Sequence, residues 1–310
     1  MISMSNDLKH IVSIKELSVD DIDPILDLAE EMLPIAEGKK IGKDLEGKIL
    51  ATLFFEPSTR TRLSFEAAMK RLKGKCIGFA RAGTSSVKKG ETLADTIRVA
   101  AGYADIVVLR HPQEGAAQLA ADFSDKPIIN AGDGAGHHPT QTLLDLFTIR
   151  KEIGSISDNH VGLAGDLKYG RTVHSLTNAL SKYESEMTFI APKSLQLPEE
   201  IKTDLKEKGI DFHETENLED VIDDLDVLYM TRIQRERFPS DEDYQKVANT
   251  YKVNKELLNK AKESLMIMHP LPRVDEISAD VDDTKHARYF EQASNGVPIR
   301  MALLKLLLEE

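Results

Sequence analysis

Short apolar runs alternating with helix-like segments constrain this chain most. Residues 49–55, 76–80, 106–110 and 128–130 are too short for helices and too apolar for loops, so each reads as a buried strand. The segments between them have helical periodicity or helix-forming composition. Strand, helix and strand in repeated succession argue for a parallel sheet covered by helices. The same rhythm returns later, with apolar runs at 160–165, 187–191, 226–230 and 265–268 and a charged amphipathic helix at 198–208. At 310 residues the chain can bury two cores. The expected fold is α/β, with two doubly wound domains, each a mostly parallel sheet flanked by helices. A helix over 143–153 crosses between them, and Gly154-Ser155-Ile156-Ser157-Asp158 is the seam, dividing 1–150 from 151–291. Ahead of the first strand, Ser18-Val19-Asp20-Asp21 caps a helix bearing Ile22, Ile25, Leu26, Ala29, Met32 and Leu33.

In open α/β sheets, ligands bind beyond the carboxyl ends of the strands, and polar residues collect at those ends here. The stretch Phe54-Phe55-Glu56-Pro57-Ser58-Thr59-Arg60-Thr61-Arg62 follows the first run. Pro57 stops the strand, and 61–72 reads as a helix with Leu63, Ala67, Ala68, Met69 and Leu72 available for a buried face. A helix start exposes unpaired N–H groups and the positive end of the dipole. Ser58, Thr59 and Thr61 add hydroxyl donors, and Arg60 adds a planar cation that can grip two phosphate oxygens. The pattern fits an anion site, phosphate foremost; it also fits an ordinary N-cap with two exposed arginines.

Other strand ends carry further candidates. Residues 82–91 are polar, basic and bounded by glycines, which reads as an exposed loop. Arg110 closes the third run. Glycines in 130–136 permit close backbone approach, and His138 and Gln141 share a face if a helix begins there. In the second half, Arg171 opens a helix after Gly165-Asp166-Leu167-Lys168-Tyr169-Gly170 and is a second anion candidate. Arg232 and Gln234 alternate along an extended segment and so face one way. The polar stretch 235–252 reads as a long surface loop. His269-Pro270-Leu271-Pro272 makes a rigid turn that can aim backbone carbonyls.

Several classes are disfavoured. A net charge of -12 argues against a generic nucleic-acid binder, while local arginine clusters can still take anionic substrates. Cys76 is the only cysteine, which excludes an intrachain disulfide and a Cys-based zinc site within one chain; it reads as a small buried hydrophobe. No apolar span approaches membrane length and the N-terminus lacks a secretory pattern, so no membrane association is expected and the cytoplasm is the expected address. The Walker ending and the third glycine of a dinucleotide fingerprint are missing. His137 and His138 are adjacent and point apart on a helix, so neither a metal nor a cofactor is expected.

Ser58-Thr59-Arg60-Thr61-Arg62 resembles the carbamoyl-phosphate motif of the aspartate and ornithine carbamoyltransferases. The resemblance continues through Lys88-Lys89-Gly90-Glu91-Thr92-Leu93-Ala94-Asp95-Thr96, Arg110-His111-Pro112, His138-Pro139-Thr140-Gln141, Gly165 to Leu176, Thr231 to Gln234 and His269 to Ile277. It implies transfer of the carbamoyl group of carbamoyl phosphate to the amino group of L-aspartate, an early step of pyrimidine synthesis. It implies catalytic roles for Arg60, Thr61, Lys89, Arg110 and His138. Ser58, Thr59, Arg60, Thr61, Ser85, Arg110, His138, Gln141 and the carbonyls of Pro270 and Leu271 would hold carbamoyl phosphate. Lys89, Arg171, Arg232 and Gln234 would hold L-aspartate. By the same resemblance, 1–150 is the carbamoyl-phosphate domain, with a C-terminal helix at 292–310 packing back on it, and 151–291 is the aspartate domain. Ser85 and Lys89 match a loop that the family inserts into a neighbouring subunit's site, which implies a homotrimer with shared sites. Family members work as bare catalytic trimers or in larger assemblies with a zinc-containing regulatory chain or other partners, and both alternatives stay open here. His137 stands where the family commonly has glutamine and receives no role. Two alternatives remain at this point: carbamoylation of another amine such as ornithine, and a non-catalytic phosphate- or nucleotide-binding module. Arg171, Arg232 and Gln234 suit a dicarboxylate, and ornithine-specific members carry a cysteine in the motif that reads His269-Pro270 here.

Overall fold

The computed structural model describes residues 8–81, 90–134, 136–233, 238, 240–245, 247 and 250–309. The chain divides into two units, Met1–Phe147 with Ser294–Glu310, and Thr148–Ala293.

The first unit opens with α1 (Val19–Ala36). The Ser18 hydroxyl accepts from the Asp21 N–H at 3.2 Å, and the Asp21 carboxylate accepts from the Ser18 N–H at 2.9 Å. This reciprocal cap satisfies two otherwise unpaired donors and is worth about 1 kcal/mol. Then come β1 (Ile49–Phe54), α2 (Thr59–Arg71), β2 (Lys75–Phe79), α3 (Leu93–Ala101), β3 (Ile106–His111), α4 (Ala116–Asp122) and β4 (Ile128–Asp133). The strands form one parallel sheet in the order β2-β1-β3-β4. β1, β3 and β4 are buried almost throughout because helices cover both faces. Ala51, Leu53, Val107 and Leu109 pack with Ile97, Ala100, Ala117 and Ala120 of α3 and α4. Alternate residues Leu50 and Phe54 face the other way, where α2 buries Phe65, Ala68 and Met69. β2 is the edge strand and leaves Lys75, Ile77 and Gly78 exposed.

α5 (Pro139–Ile153) begins in the first unit and ends in the second. It starts at Pro139 rather than at 143: proline suits the first helical position, where its missing N–H is not needed. The second unit holds β5 (His160–Ala164), α6 (Arg171–Lys182), β6 (Glu186–Ile190), α7 (Glu199–Glu207), β7 (Phe212–Thr215), β8 (Val227–Met230), α8 (Asp241–Gln245), α9 (Lys255–Leu258) and β9 (Met266–Met268). Its five strands are parallel in the order β7-β6-β5-β8-β9. α10 (Tyr289–Leu308) begins here and ends in the first unit, starting at Tyr289 rather than at 292 and carrying Pro298 inside it. The expected α/β architecture of two parallel sheets flanked by helices is the observed one.

Both sheets reverse strand order at one place, between β1 and β3 in the first unit and between β5 and β8 in the second. Chain leaving the strands on either side of such a point turns opposite ways and opens a crevice at the carboxyl ends. Among the described residues no helix is long and apolar enough to cross a membrane.

Candidate active site

The crevice of the first unit lies between the ends of β1 and β3. After β1 the chain turns through Glu56 and Pro57 into α2. Ser58 occupies the N-cap position in extended conformation, yet its side chain makes no capping bond. Thr92 at the start of α3, by contrast, accepts from the Asp95 N–H at 3.2 Å. The first turn of α2 therefore keeps unpaired N–H groups together with the hydroxyls of Ser58 and Thr59. Thr61 is buried and Arg60 is exposed. Partial desolvation lowers the Arg60 guanidinium from its ordinary pKa.

Arg110 comes from the end of β3, directly opposite Phe54 of β1. Its Nη2 lies 3.0 Å from Glu56 Oε2, and its Nη1 donates to the Ala131 carbonyl at 3.1 Å. Its Nε is buried with no hydrogen-bond partner among the described residues. Burial pushes the guanidinium pKa down, Glu56 offsets part of this, and the positive charge of Arg60 pushes it down further. Two arginines held near each other, with an unpaired buried donor, form a place that an anion would stabilise.

β4 delivers the third wall. Asp133 is 3% exposed and organises the loop: Oδ1 accepts from Asn130 Nδ2 at 3.1 Å and from the His137 N–H at 2.8 Å, and Oδ2 accepts from the Gly115 N–H at 3.0 Å. Gly132 sits at φ +116°, and a Cβ there would stand 2.8 Å from Arg110 Nη1 and 3.4 Å from His138 Cδ2. The absent side chain is what admits both groups. His138 is buried just before α5, and its Nδ1 is 3.5 Å from Thr140 Oγ1. Gln141 lies in the first turn of α5 and is half-buried. Ser58, Thr59, Arg60, Thr61, Arg110, His138 and Gln141 thus all sit in the first unit, on the ends of β1, β3 and β4 or the helices that follow.

In the second unit, Gly165 follows β5 at φ +114°, where a Cβ would stand 2.2 Å from the Thr231 carbonyl oxygen. This close approach lets the Thr231 hydroxyl accept from the Asp166 N–H at 3.1 Å. Asp166 is fully buried and accepts from the Tyr169 N–H at 2.9 Å, shaping the turn that starts α6 at Arg171. Arg232 leaves the end of β8. It lines a small, partly open cleft with Gly165, Thr231, Tyr244, Tyr251 and Glu276. Pro270 and Leu271 follow β9. Leu271 has φ +53°, and its N–H donates to His269 Nδ1 at 2.8 Å. The proton of the His269 ring therefore resides on Nε2, 2.7 Å from Glu276 Oε1, while the His269 N–H donates to Gln292 Oε1 at 2.8 Å. Burial alone would raise the Glu276 carboxyl, but the hydrogen bond from His269 leads a group of contacts that holds it below the usual carboxylate range.

Ser85, Lys89 and Gln234 lie outside the described residues. The side chains that hold the others escape a reading of the sequence. Glu56 is visible beside Arg60, but its pairing with Arg110 spans the sheet. Asp133, Asp166 and the pair His269–Glu276 act on loop geometry and carry no local signal. Cys76 is half-buried, its thiol pushed up to about 11 by burial and by Glu66.

Two family models match the chain. The carbamoyl-P binding domain of aspartate/ornithine carbamoyltransferase matches residues 9–151, and the Asp/Orn binding domain matches 157–307. The aspartate carbamoyltransferase catalytic subunit of Methanothrix thermoacetophila is 58% identical over 97% of this chain and 99% of its own length. The catalytic subunit of Methanocaldococcus jannaschii aspartate transcarbamoylase superimposes with a TM-score of 0.92 at 57% identity, covering 97% of this chain and 98% of that one. Aspartate transcarbamoylase from Trypanosoma cruzi, solved with carbamoyl phosphate and aspartate, superimposes with a TM-score of 0.90 at 40% identity, over 97% and 95%. A fold with two parallel sheets, polar groups at both strand-order reversals and matches along nearly its whole length places the chain: it belongs to the aspartate/ornithine carbamoyltransferase family.

Proposed function

We propose that the chain transfers the carbamoyl group of carbamoyl phosphate to the amino group of L-aspartate, giving N-carbamoyl-L-aspartate and phosphate, in pyrimidine synthesis. The observation that carries this reading is the first-unit crevice. Buried Arg110 with its unpaired Nε, Arg60 and an uncapped helix start converge on a place suited to a phosphorylated ligand. The relatives named for the aspartate reaction favour aspartate over ornithine as acceptor, as do the cations Arg171 and Arg232.

In this reading the first unit binds the donor and the second binds the acceptor. The aspartate amine attacks the carbamoyl carbon, a C–N bond forms, and the C–O bond to phosphate breaks with its electron pair leaving on phosphate. Thr61, Arg110 and His138 face the oxyanion that develops, and donors fixed before reaction stabilise it without reorganisation. Ser58, Thr59, Arg60 and Lys89 stabilise the departing phosphate, with Ser85 a further contact to the donor. Gln141 and the carbonyls of Pro270 and Leu271 hold the carbamoyl amino group. Arg171, Arg232, Gln234 and Lys89 orient the dicarboxylate. Orientation of this kind is worth on the order of 7–11 kcal/mol. No covalent nucleophile, metal or cofactor enters, and the leaving phosphate is basic enough to take the amine proton.

Ser85 and Lys89 are assigned to a neighbouring subunit's site in a cytoplasmic homotrimer, which a zinc-containing regulatory chain can extend. The test is colorimetric detection of the N-carbamoyl product with L-aspartate or L-ornithine as acceptor. Product with aspartate alone is expected; product with ornithine alone, or with neither, would overturn the proposal.

A further inference from the structure

The amide of Gln141 has a donor end and an acceptor end, and a site that uses it must fix which end faces the ligand. α5 supplies the means. Asp145 lies one turn further along the same face, is fully buried, and accepts from Gln141 Nε2 at 2.8 Å. A carboxylate can only accept, so Gln141 turns its NH2 toward Asp145. Its Oε1 accepts no hydrogen bond from the described residues and is left for a donor on the ligand.

A buried cation on α10 adds its charge to the electrostatics around Asp145. Arg300 is 3% exposed, its guanidinium stacked on Phe65 of α2 with Cζ 4.9 Å from the ring centre. Burial pushes Arg300 down to about 9, and the Asp145 charge offsets part of that. The group therefore stays cationic at neutral pH. Gly296, one turn earlier, makes the space: a Cβ there would stand 2.1 Å from Arg300 Nη1. A charge buried against an aromatic ring is costly, and apolar side chains fill such places more cheaply. Phe65 and Leu144 would accept a methionine or leucine as a neighbour, so packing alone does not account for an arginine.

We infer that Asp145 and Arg300 are positioning residues that lock the Gln141 amide with its oxygen toward the ligand, so that the site selects a phosphorylated donor bearing an NH2 group over one bearing a methyl group. The inference rests on the proposed contact between Gln141 and the carbamoyl amino group. Neither Asp145 nor Arg300 touches the substrate; both act through Gln141.

The test is calorimetric binding of carbamoyl phosphate, acetyl phosphate and inorganic phosphate to the full chain. Acetyl phosphate has a methyl group where carbamoyl phosphate has NH2. One oriented hydrogen bond should give a preference for carbamoyl phosphate of roughly tenfold. Gln141→Ala should lower it to what the Pro270 and Leu271 carbonyls alone supply, and sets the baseline. Asp145→Asn should reach the same baseline with inorganic phosphate affinity unchanged, because the amide can then turn over. That variant strands Arg300 in the core, so Asp145→Asn/Arg300→Gln, which removes both charges, is measured beside it with circular dichroism as the folding check. Arg300→Lys, which keeps the charge, should retain most of the preference. The inference is overturned if either the single Asp145→Asn variant or the double variant, folded, keeps the full preference that Gln141→Ala loses. It is also overturned if affinity for all three ligands falls equally, the mark of a merely structural role. If Gln141→Ala itself keeps the preference, the contact assigned to Gln141 is what fails.

Discussion

Gly132→Ala separates two costs that usually arrive together. At φ +116° an alanine is strained whatever the space around it, which costs roughly 1–3 kcal/mol of stability. The new methyl would also stand 2.8 Å from Arg110 Nη1 and 3.5 Å from Cζ. Arg110 cannot yield freely, because Glu56 and the Ala131 carbonyl hold its two ends. The guanidinium must leave the position from which it would face the carbamoyl oxygen. Losing one preorganised donor of this kind costs about 10²–10³ in kcat. Gly47→Ala is the control: it too has positive φ, +87°, but nothing lies within 4 Å of its Cβ. Urea unfolding and the carbamoyl-aspartate assay are run on both. Both variants should lose stability, and only Gly132→Ala should lose kcat by two orders of magnitude or more. Near-normal kcat in Gly132→Ala would refute the reasoning, as would an equal loss in Gly47→Ala.

Three further outcomes are expected. Glu276 has a lowered folded-state pKa, so its contribution to stability is present above the unfolded carboxylate range, about pH 4.3, and is lost as pH falls through the folded value. Urea midpoints measured from about pH 6 down to about pH 3 should fall less steeply for Glu276→Gln than for the native chain; parallel acid limbs would exclude the His269–Glu276 pair as the cause. Cys76, with its thiol pushed up to about 11, should react slowly with a disulfide reagent in the native state and quickly in urea, whereas fast native reaction would show an open thiolate. Arg60→Ala and Lys89→Ala chains, each inactive alone, should regain activity when dissociated and reassembled together; verified mixing without recovery would place Lys89 in its own chain's site.

Much of this fold lies open in the sequence because buried parallel strands are nearly continuous apolar runs. β1, β3, β5 and β8 are legible that way, with ends close to those observed. β7 is not, because it is an edge strand whose only large apolar residue is Phe212, beside His213, Glu214 and Thr215. The start of α10 is not legible either: the helix begins at Tyr289, and Pro298, usually a sign of a helix start, lies in its interior. Candidate site residues are legible where chemistry announces itself, as in the hydroxyls and arginine of 58–61. The supporting carboxylates are not, since Glu56 meets Arg110 and His269 meets Glu276 only once strands and turns are assembled. Asp145 is the exception. Its spacing from Gln141 is a helical neighbour relation that sequence alone contains.

The division of labour between Arg60 and Arg232 is the central claim, and one paired experiment reaches it: carbamoyl-phosphate binding and steady-state kinetics on Arg60→Ala and Arg232→Ala. Arg60→Ala should lose about 10²–10³ in kcat with its aspartate KM little changed. Arg232→Ala should bind carbamoyl phosphate as the native chain does while its aspartate KM rises roughly tenfold or more. If Arg232→Ala instead lost carbamoyl phosphate and kept its aspartate KM, the donor and acceptor units would be reversed and the account would fail.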